Sequence, residues 1–210
     1  MIEQYSSKAK DVVIILDCSI QMNEKHQFHD AVELALIAFD DFIKPNDRVA
    51  FMICQKNVYA KFSLVEKWKN TENLRNQISV FKRETNTPVF SKHRALHKAL
   101  IDGLSEFTYK VSKDNDHWII VFTCGADTRG RISMDALGDK IKQSRANILM
   151  ANMLVGKFDN LITNNLMSIA KMTRDGIYME NFTTDEFRLT MTSICTIDIP
   201  FQPIIMELFT

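Results

Sequence analysis

The chain has 210 residues, of which 46% are hydrophobic and 25% charged, and its 26 Lys and Arg balance its 26 Asp and Glu. This length and composition suit a globular protein of one α/β domain and at most two. The even charge balance provides no overall field that would select nucleic acid or an acidic membrane surface. No stretch approaches the roughly 20 apolar residues that a membrane-spanning helix needs. We therefore expect neither nucleic-acid binding nor a membrane span.

The cysteines indicate the compartment. Cys18, Cys54, Cys124 and Cys195 lack CxxC spacing, and most lie in or beside predicted strands and helices. This pattern favours free thiols in a reducing compartment over a disulfide framework. The first residues, MIEQYSSKAKD, also lack an apolar core of signal-peptide length. The expectation is an intracellular, cytoplasmic protein.

The first strong pattern is DVVIILDCSIQM, residues 11–22. Its five consecutive apolar residues, 12–16, predict a strand buried on both faces, as at the centre of a parallel sheet. Asp17 ends this strand and a polar turn follows it. In open α/β sheets ligands bind just beyond the carboxyl ends of such strands. Asp17 and Ser19 therefore fall where a site is expected.

Helical and extended patterns then alternate along the chain. Amphipathic spacing predicts helices at 24–44, 72–81, 92–110, 133–144, 161–173 and 184–195. Apolar runs predict further strands at 48–54, 57–65, 117–122, 148–155 and 176–179. Only Gln55 and Lys56 separate the second strand from the third, so these two form a predicted antiparallel hairpin with the third strand at the sheet edge. Asn23 is the predicted cap of the first helix, and Ser133 lies near the start of the fourth.

This order predicts a three-layer α/β sandwich. Its sheet is six-stranded and mostly parallel with one antiparallel edge strand, and helices cover both faces. Residues 1–196 form this single domain. Residues 197–210 hold two prolines among apolar residues and predict an extended tail, either a second contact surface or a strap over the sheet.

Three loops, 17–21, 85–91 and 123–129, are predicted to converge at the carboxyl edge of the sheet. Their order and spacing resemble the von Willebrand factor type A domain. That family holds a divalent cation with a DxSxS loop, a threonine before the third helix and an aspartate after the fourth strand. The segments NDRVAF, FTCG and IAKMTRDGIY add to the resemblance, which covers about residues 10–195. It implies a Rossmann-like fold and a non-enzymatic, protein-binding module or scaffold built around this metal-ion-dependent adhesion site.

The first two loops match the adhesion-site motif in part. Asp17 and Ser19 match its first two positions, and Gln21 replaces the second serine. Thr87 best matches the family's threonine, with Thr85 as the alternative. The resemblance thus implies Asp17, Ser19 and Thr87 as the metal ligands.

The third loop departs from the motif. Cys124 stands where the family has its aspartate, and a neutral thiol is a soft ligand poorly suited to Mg²⁺. We expect a degenerate site that holds no metal or binds Mg²⁺ weakly, unless Asp127 completes it. The carboxylate of Asp17 then caps the amides of its turn.

Basic residues surround the expected site, and such residues are usually solvated. They are Lys82, Arg83, Lys92, Arg94, Arg129 and Arg131. Without a metal, these cations at the rim would supply the attraction for an acidic protein partner.

Two alternative functions stay open at this point. The first is a working Mg²⁺ site formed by Asp17, Ser19, Thr87 and Asp127. The second is an α/β enzyme with Cys124 as nucleophile and His93 or His97 as base. A zinc site that combines these histidines with Cys18 or Cys124 is less favoured than a solvated helix face. The chain has no GxSxG, GxGxxG or HExxH motif, which favours a non-enzymatic protein.

Overall fold

The structure is a computed structural model that describes residues 8–24, 27–82, 90–109, 115–154 and 159–196. Thr85, Thr87 and the predicted tail at 197–210 lie outside the described residues.

Six strands in the described residues form one sheet. They are β1 Lys10–Asp17, β2 Arg48–Cys54, β3 Val58–Glu66, β4 Asp116–Thr123, β5 Asn147–Asn152 and β6 Ile177–Glu180. Their order across the sheet is β3-β2-β1-β4-β5-β6. Neighbouring strands pair in parallel except β2 with β3, which are antiparallel. The predicted fold class is therefore confirmed, including the antiparallel edge strand.

Helices cover both faces of this sheet. Those in the described ranges are α1 Ile20–Glu24, α2 Gln27–Ile37, α3 Thr71–Ser79, α4 Leu96–Tyr109, α5 Met134–Ser144, α6 Asn160–Lys171 and α7 Thr184–Thr196. A π-helical turn, Ala38–Phe42, continues α2, and 3₁₀ turns lie at Lys67–Lys69 and Val80–Lys82. Within the part of the chain that the structure describes, no helix is both long and apolar enough to cross a membrane.

The central strand β1 is buried along its whole length and separates two hydrophobic cores. Successive side chains of a strand point to opposite faces, so the two sets of β1 residues enter different cores. Val12, Ile14 and Leu16 pack in the core that contains side chains of α2, α3 and α7. Val13 and Ile15 pack in the core that contains side chains of α4, α5 and α6. Burial on both faces explains the unbroken apolar run in the sequence.

Two helix starts differ from their predictions and matter for the site. The predicted helix 24–44 is divided into α1, α2 and the π-helical turn, and Asn23 lies inside α1, so its prediction as a cap is wrong. The predicted helix 92–110 begins only at Leu96. The residues before it run alongside the first loop instead, through a parallel bridge between Ser19 and Ser91. Arg94 therefore lies in a loop at the carboxyl edge of the sheet.

Candidate functional site

Asp17 is the last residue of β1 and lies at the middle of the carboxyl edge of the sheet. Its side chain is 1% exposed. Its Oδ1 accepts a hydrogen bond from the amide of Ser19 at 2.8 Å. Its Oδ2 accepts one from the hydroxyl of Thr123, the last residue of β4, at 2.8 Å. The carboxylate thus caps its own turn and joins the ends of two neighbouring strands.

The side chain of Arg94 fills the space between the loops at this edge. It is 2% exposed. Its Nε donates to Oδ2 of Asp17 at 2.5 Å, and Nη1 donates to the carbonyl of Ala126 at 2.7 Å. Its Nη2 donates to Oγ of Ser19 and Oε1 of Gln21, each at 2.9 Å. A buried cation therefore contacts side chains that the sequence assigned to a metal, and the interpretation of Arg94 as a solvated residue is wrong.

The residues around this guanidinium keep it protonated. Burial is the largest single effect and disfavours the charged form, but the charge and hydrogen bond of Asp17 together with the nearby Cys124 and Cys54 outweigh it, so the pKa of Arg94 is raised above its ordinary value. Arginine is the residue best suited to such a place because its planar, weakly hydrated fork can satisfy several acceptors at once. Asp17 and Arg94 are thus a buried ion pair with compensating hydrogen bonds.

Cys124 completes the enclosure of the guanidinium. It is buried, and its Sγ lies 3.3 Å from Nη2 of Arg94 and 3.9 Å from Oδ2 of Asp17. Burial, with the nearby Asp17 carboxylate, raises the pKa of Cys124 to about 11, although Arg94 opposes this. The thiol is therefore neutral at physiological pH. One carboxylate and one guanidinium balance in charge, and the neutral thiol adds no charge to the pair.

Backbone hydrogen bonds on both sides fix the segment that carries Arg94. The amide of Ser91 donates to the carbonyl of Cys18 at 3.2 Å, and the amide of Ile20 donates to the carbonyl of Ser91 at 2.9 Å. The amide of Arg94 donates to Oγ1 of Thr128 at 2.7 Å, and the amide of Thr128 donates to the carbonyl of Arg94 at 3.0 Å. The segment is thereby tied to both of the other loops.

Gly125 provides the room for the guanidinium. A Cβ at this position would lie 2.5 Å from Nη1 of Arg94, closer than a side chain can approach without movement. The glycine of the FTCG turn is thus explained by the arginine beside it.

Asp127, the predicted alternative metal ligand, binds backbone amides. Its Oδ1 accepts from the amide of His97 in the first turn of α4 at 3.2 Å. Its Oδ2 accepts from the amides of Arg129 and Gly130 at 3.1 and 2.8 Å. Both oxygens therefore hold the third loop in shape. Further along this loop, Arg129 is half-buried and Arg131 is exposed.

The two histidines have different environments. His93 is exposed, as expected for a solvated position. His97 is buried, with Nδ1 2.7 Å from the carbonyl of Ile132, so its prediction as solvated is wrong. No hydrogen bond among the described residues joins either histidine to Cys124. In the same described ranges, no group of three or more His, Cys, Asp or Glu side chains is arranged to hold a metal ion.

The donor set does not fit Mg²⁺ while Arg94 is in place. Mg²⁺ requires near-octahedral oxygen ligands at 2.0–2.1 Å. The guanidinium already contacts the oxygens of Asp17 and Ser19 that would face the ion, and it carries a positive charge of its own. The structure thus brings together Asp17, Ser19, Gln21 and Cys124 around Arg94, an arginine that the sequence places at the rim of the site but not inside it. The available signal was electrostatic, because a buried aspartate without a metal requires another cation nearby.

Known proteins share this architecture. A family model described as the von Willebrand factor type A domain matches residues 11–194. A solved von Willebrand factor type A structure from Catenulispora acidiphila has a TM-score of 0.69 at 14% identity, over 90% of this chain and 42% of that one. An aerotolerance-related membrane protein from Bacteroides fragilis has a TM-score of 0.65 at 15% identity, over 88% of this chain and 98% of that one.

Proximal thread matrix protein 1 from the mussel byssus is also similar, with a TM-score of 0.67 at 16% identity, over 90% of this chain and 48% of that one. This chain thus spans less than half the length of the Catenulispora and mussel proteins. At such identities the likeness establishes the fold alone. A search of curated protein sequences found no significant match.

Proposed function

This chain belongs to the von Willebrand factor type A domain family, and we propose that it is a protein-binding module that docks its partner at the carboxyl edge of the sheet without a metal ion. Members of this family are typically interaction or adhesion modules. The observation that carries the proposal is the guanidinium of Arg94, which holds the three loops together where the family places its cation. We infer that this arginine replaces the structural role of the ion.

The replacement changes how a partner is attracted. A bound Mg²⁺ keeps coordination positions for other oxygens, and a partner's carboxylate can take one of them. Arg94 is 2% exposed, and its hydrogen bonds are made within the domain. Attraction must therefore come from groups at the rim, of which Arg129 and Arg131 are the candidates. These two cations favour an acidic partner.

Affinity capture with and without a chelator tests the proposal. The experiment compares wild type with the double charge reversal Arg129→Glu/Arg131→Glu, and quantifies captured proteins by mass spectrometry. The matched control is Lys140→Glu/Lys142→Glu, which makes the same charge change at two exposed positions of α5. We expect partners to persist in EDTA, to be lost from the Arg129/Arg131 variant and to be retained by the control.

The contrary results are as clear. Partners that EDTA releases would refute docking without a metal ion. Partners that bind the Arg129/Arg131 variant as well as wild type would refute the proposed rim. Thermal unfolding of that variant should match wild type, because substitutions of surface residues usually change stability by within about 0.5 kcal/mol.

The two alternatives have tests of their own. Calorimetric heat from Mg²⁺ that disappears in Asp17→Ala would replace the proposal by a working metal site. For the enzyme alternative, a thiol with a pKa of about 11 is roughly one part in ten thousand thiolate at pH 7. Alkylation of Cys124 faster than free cysteine at neutral pH would restore that alternative.

We also propose a cytoplasmic location for the protein. All four cysteines lie in the described residues as buried free thiols. This state supports a reducing compartment.

A further inference from the structure

A second site lies at the same edge of the sheet, beyond the ends of β5 and β6. Here a cavity of about 230 Å³ is enclosed by α2, the residues after β5 and β6, and the first residue of α7. It is smaller than the 300–1,000 Å³ of typical sites for drug-sized ligands and cofactors, so its size suits a single side chain. Its lining residues include none of those that contact Arg94 in the described structure. We propose that this cavity is a socket for one arginine side chain of the protein partner.

The first argument is Gln27, a buried residue in the wall of the cavity. Gln27 is 2% exposed, and neither its Nε2 nor its Oε1 has a hydrogen-bond partner among the described residues. Buried polar groups are nearly always paired, so each exception requires an explanation. Rotation of this side chain toward the cavity would bring Oε1 to N–H donors of a ligand and Nε2 to a carbonyl of the ligand's backbone, which would satisfy both atoms.

The second argument is the charge of Asp30. This residue follows Gln27 by three positions on α2, so the two side chains share a face of the helix and both line the cavity. The other carboxylates of α2 and its π-helical turn are paired, in the ion pairs Glu33–Lys82, Asp40–Arg75 and Arg188–Asp41. The side chain of Asp30 has no such partner in the described structure, and no described Lys or Arg lines the cavity. The unbalanced charge favours a cation.

The third argument is the apolar wall of the cavity, formed by Leu34, Ile37 and Phe182 among others. Long basic side chains lay their methylene stems on such surfaces while the charged head reaches a polar group. Arginine suits the socket better than lysine, because its planar fork can donate to Asp30 and to Oε1 of Gln27 at the same time. A compact ammonium group offers no such spread of donors.

The test titrates N-acetyl-L-arginine N-methylamide into the full ¹⁵N-labelled chain and follows the amide resonances. The matched ligand is N-acetyl-L-citrulline N-methylamide, which has a nearly identical shape and no charge. We expect the arginine derivative to bind at least about tenfold more tightly, with shifts centred on residues 27–34, 152–154 and 181–184. Asp30→Asn and Gln27→Leu should each weaken binding at least about fivefold.

Glu33→Gln is the matched protein control, because Glu33 lines the same cavity but is already paired with Lys82 at 2.9 Å. It should change the affinity by less than about twofold. Asp30 is exposed, so Asp30→Asn keeps the test valid even if Gln27→Leu fails to fold. Equal binding of the citrulline derivative, binding undiminished in Asp30→Asn, or no saturable binding would each overturn the socket.

This inference rests on the proposed function only in placing the partner at the carboxyl edge, and the two can fail separately. The titration requires no partner. A negative titration, with partner capture still lost in Arg129→Glu/Arg131→Glu, overturns the socket alone. A positive titration, with capture unchanged in that variant, overturns the proposed rim alone.

Discussion

β1 carries a buried aspartate at each end, and each aspartate is paired with an arginine. At the amino end, Arg48 binds both carboxylate oxygens of Asp11, with Nε 2.7 Å from Oδ1. Arg48 lies on the neighbouring strand β2, directly beside Asp11 in the register of the sheet. At the carboxyl end, Arg94 reaches Asp17 from a loop 77 residues further along the chain.

The surroundings of the two pairs also differ. Asp11 also accepts a hydrogen bond from Nδ2 of Asn115 at 2.8 Å, and Nε2 of His117 lies 3.5 Å from its Oδ2 but makes no hydrogen bond in the described structure. The side chain of Arg48 is 16% exposed, against 2% for Arg94. The same chemistry therefore serves two purposes. The pair at the amino end joins two strands, whereas the pair at the carboxyl end holds three loops together, where we propose that it takes the structural role of a metal ion.

The largest effect is expected from removing Arg94. Arg94→Met leaves Asp17 as an uncompensated buried charge, which typically costs about 3–5 kcal/mol of the free energy of unfolding. Arg48→Met should cost clearly less, because Asn115 and His117 still contact Asp11 and water can reach the more exposed Arg48 position. Urea denaturation at neutral pH measures both.

A double variant that replaces both charged residues separates the effect of charge on stability from that of packing. In Asp17→Asn/Arg94→Met the buried charge is removed from both sides, so this double variant should be more stable than Arg94→Met alone. It also keeps the experiment informative if Arg94→Met does not fold. Equal losses for Arg94→Met and Arg48→Met would show that the two ends of β1 are energetically alike. No recovery in the double variant would show that the loss in Arg94→Met does not come from the uncompensated charge of Asp17.

The sequence predicts the strands and helices that carry the two ion pairs, but not the buried position of Arg94. The apolar run of β1, the hairpin and the alternating helices are local patterns, and they place Asp17 and Ser19 correctly at the sheet edge. The sequence predicts Arg94 on the surface of a helix, because helical spacing extends back to residue 92 and a charged side chain is usually exposed. Its burial depends on distant partners.

Those partners are not visible in any local pattern. The bridge between Ser19 and Ser91 keeps the chain extended before α4, and Gly125 leaves space for the guanidinium. The cavity beside Gln27 was missed for the same reason, because it is formed by segments far apart in the chain.

Alkaline pH should lower the free energy of unfolding through Cys124, which lies beside the carboxyl end of β1. Its pKa is raised from an ordinary 9.0 to about 11 in the folded protein, so above pH 9 the unfolded chain loses this proton first. The free energy of unfolding therefore falls between pH 9 and 11, by up to about 2.7 kcal/mol from this group at 1.36 kcal/mol for each pH unit. Urea denaturation across this range should show a smaller decline for Cys124→Ala than for wild type.

Arg48→Met serves as the control for this pH effect, since it alters the amino end and leaves Cys124 in place. It should decline with pH as wild type does. If Cys124→Ala follows the same course, the thiol does not titrate as a buried neighbour of Asp17.

The smallest expected effect is a stabilisation by Mg²⁺, which tests whether the Arg94 position can accept a metal ion. In Arg94→Ala/Cys124→Asp the guanidinium is absent and a second carboxylate stands near Asp17, an arrangement in which a divalent cation would relieve the repulsion. With a dissociation constant of about 1 mM, 10 mM Mg²⁺ would add about 1.4 kcal/mol. For a domain of this size, that corresponds to a rise of roughly 3–6 °C in Tm by calorimetry.

Wild type should show no such rise, because its own cation already contacts Asp17 and Ser19. Arg48→Ala is the matched variant at the other end of β1, and it should not respond either, since Oδ1 of Asp11 still accepts a hydrogen bond from Nδ2 of Asn115 and no second carboxylate is introduced beside it. A Mg²⁺ response in wild type would mean that Arg94 does not exclude the ion. A double variant that ignores Mg²⁺ would mean that the loops have lost the metal geometry itself, beyond the exchange of one ligand for a thiol.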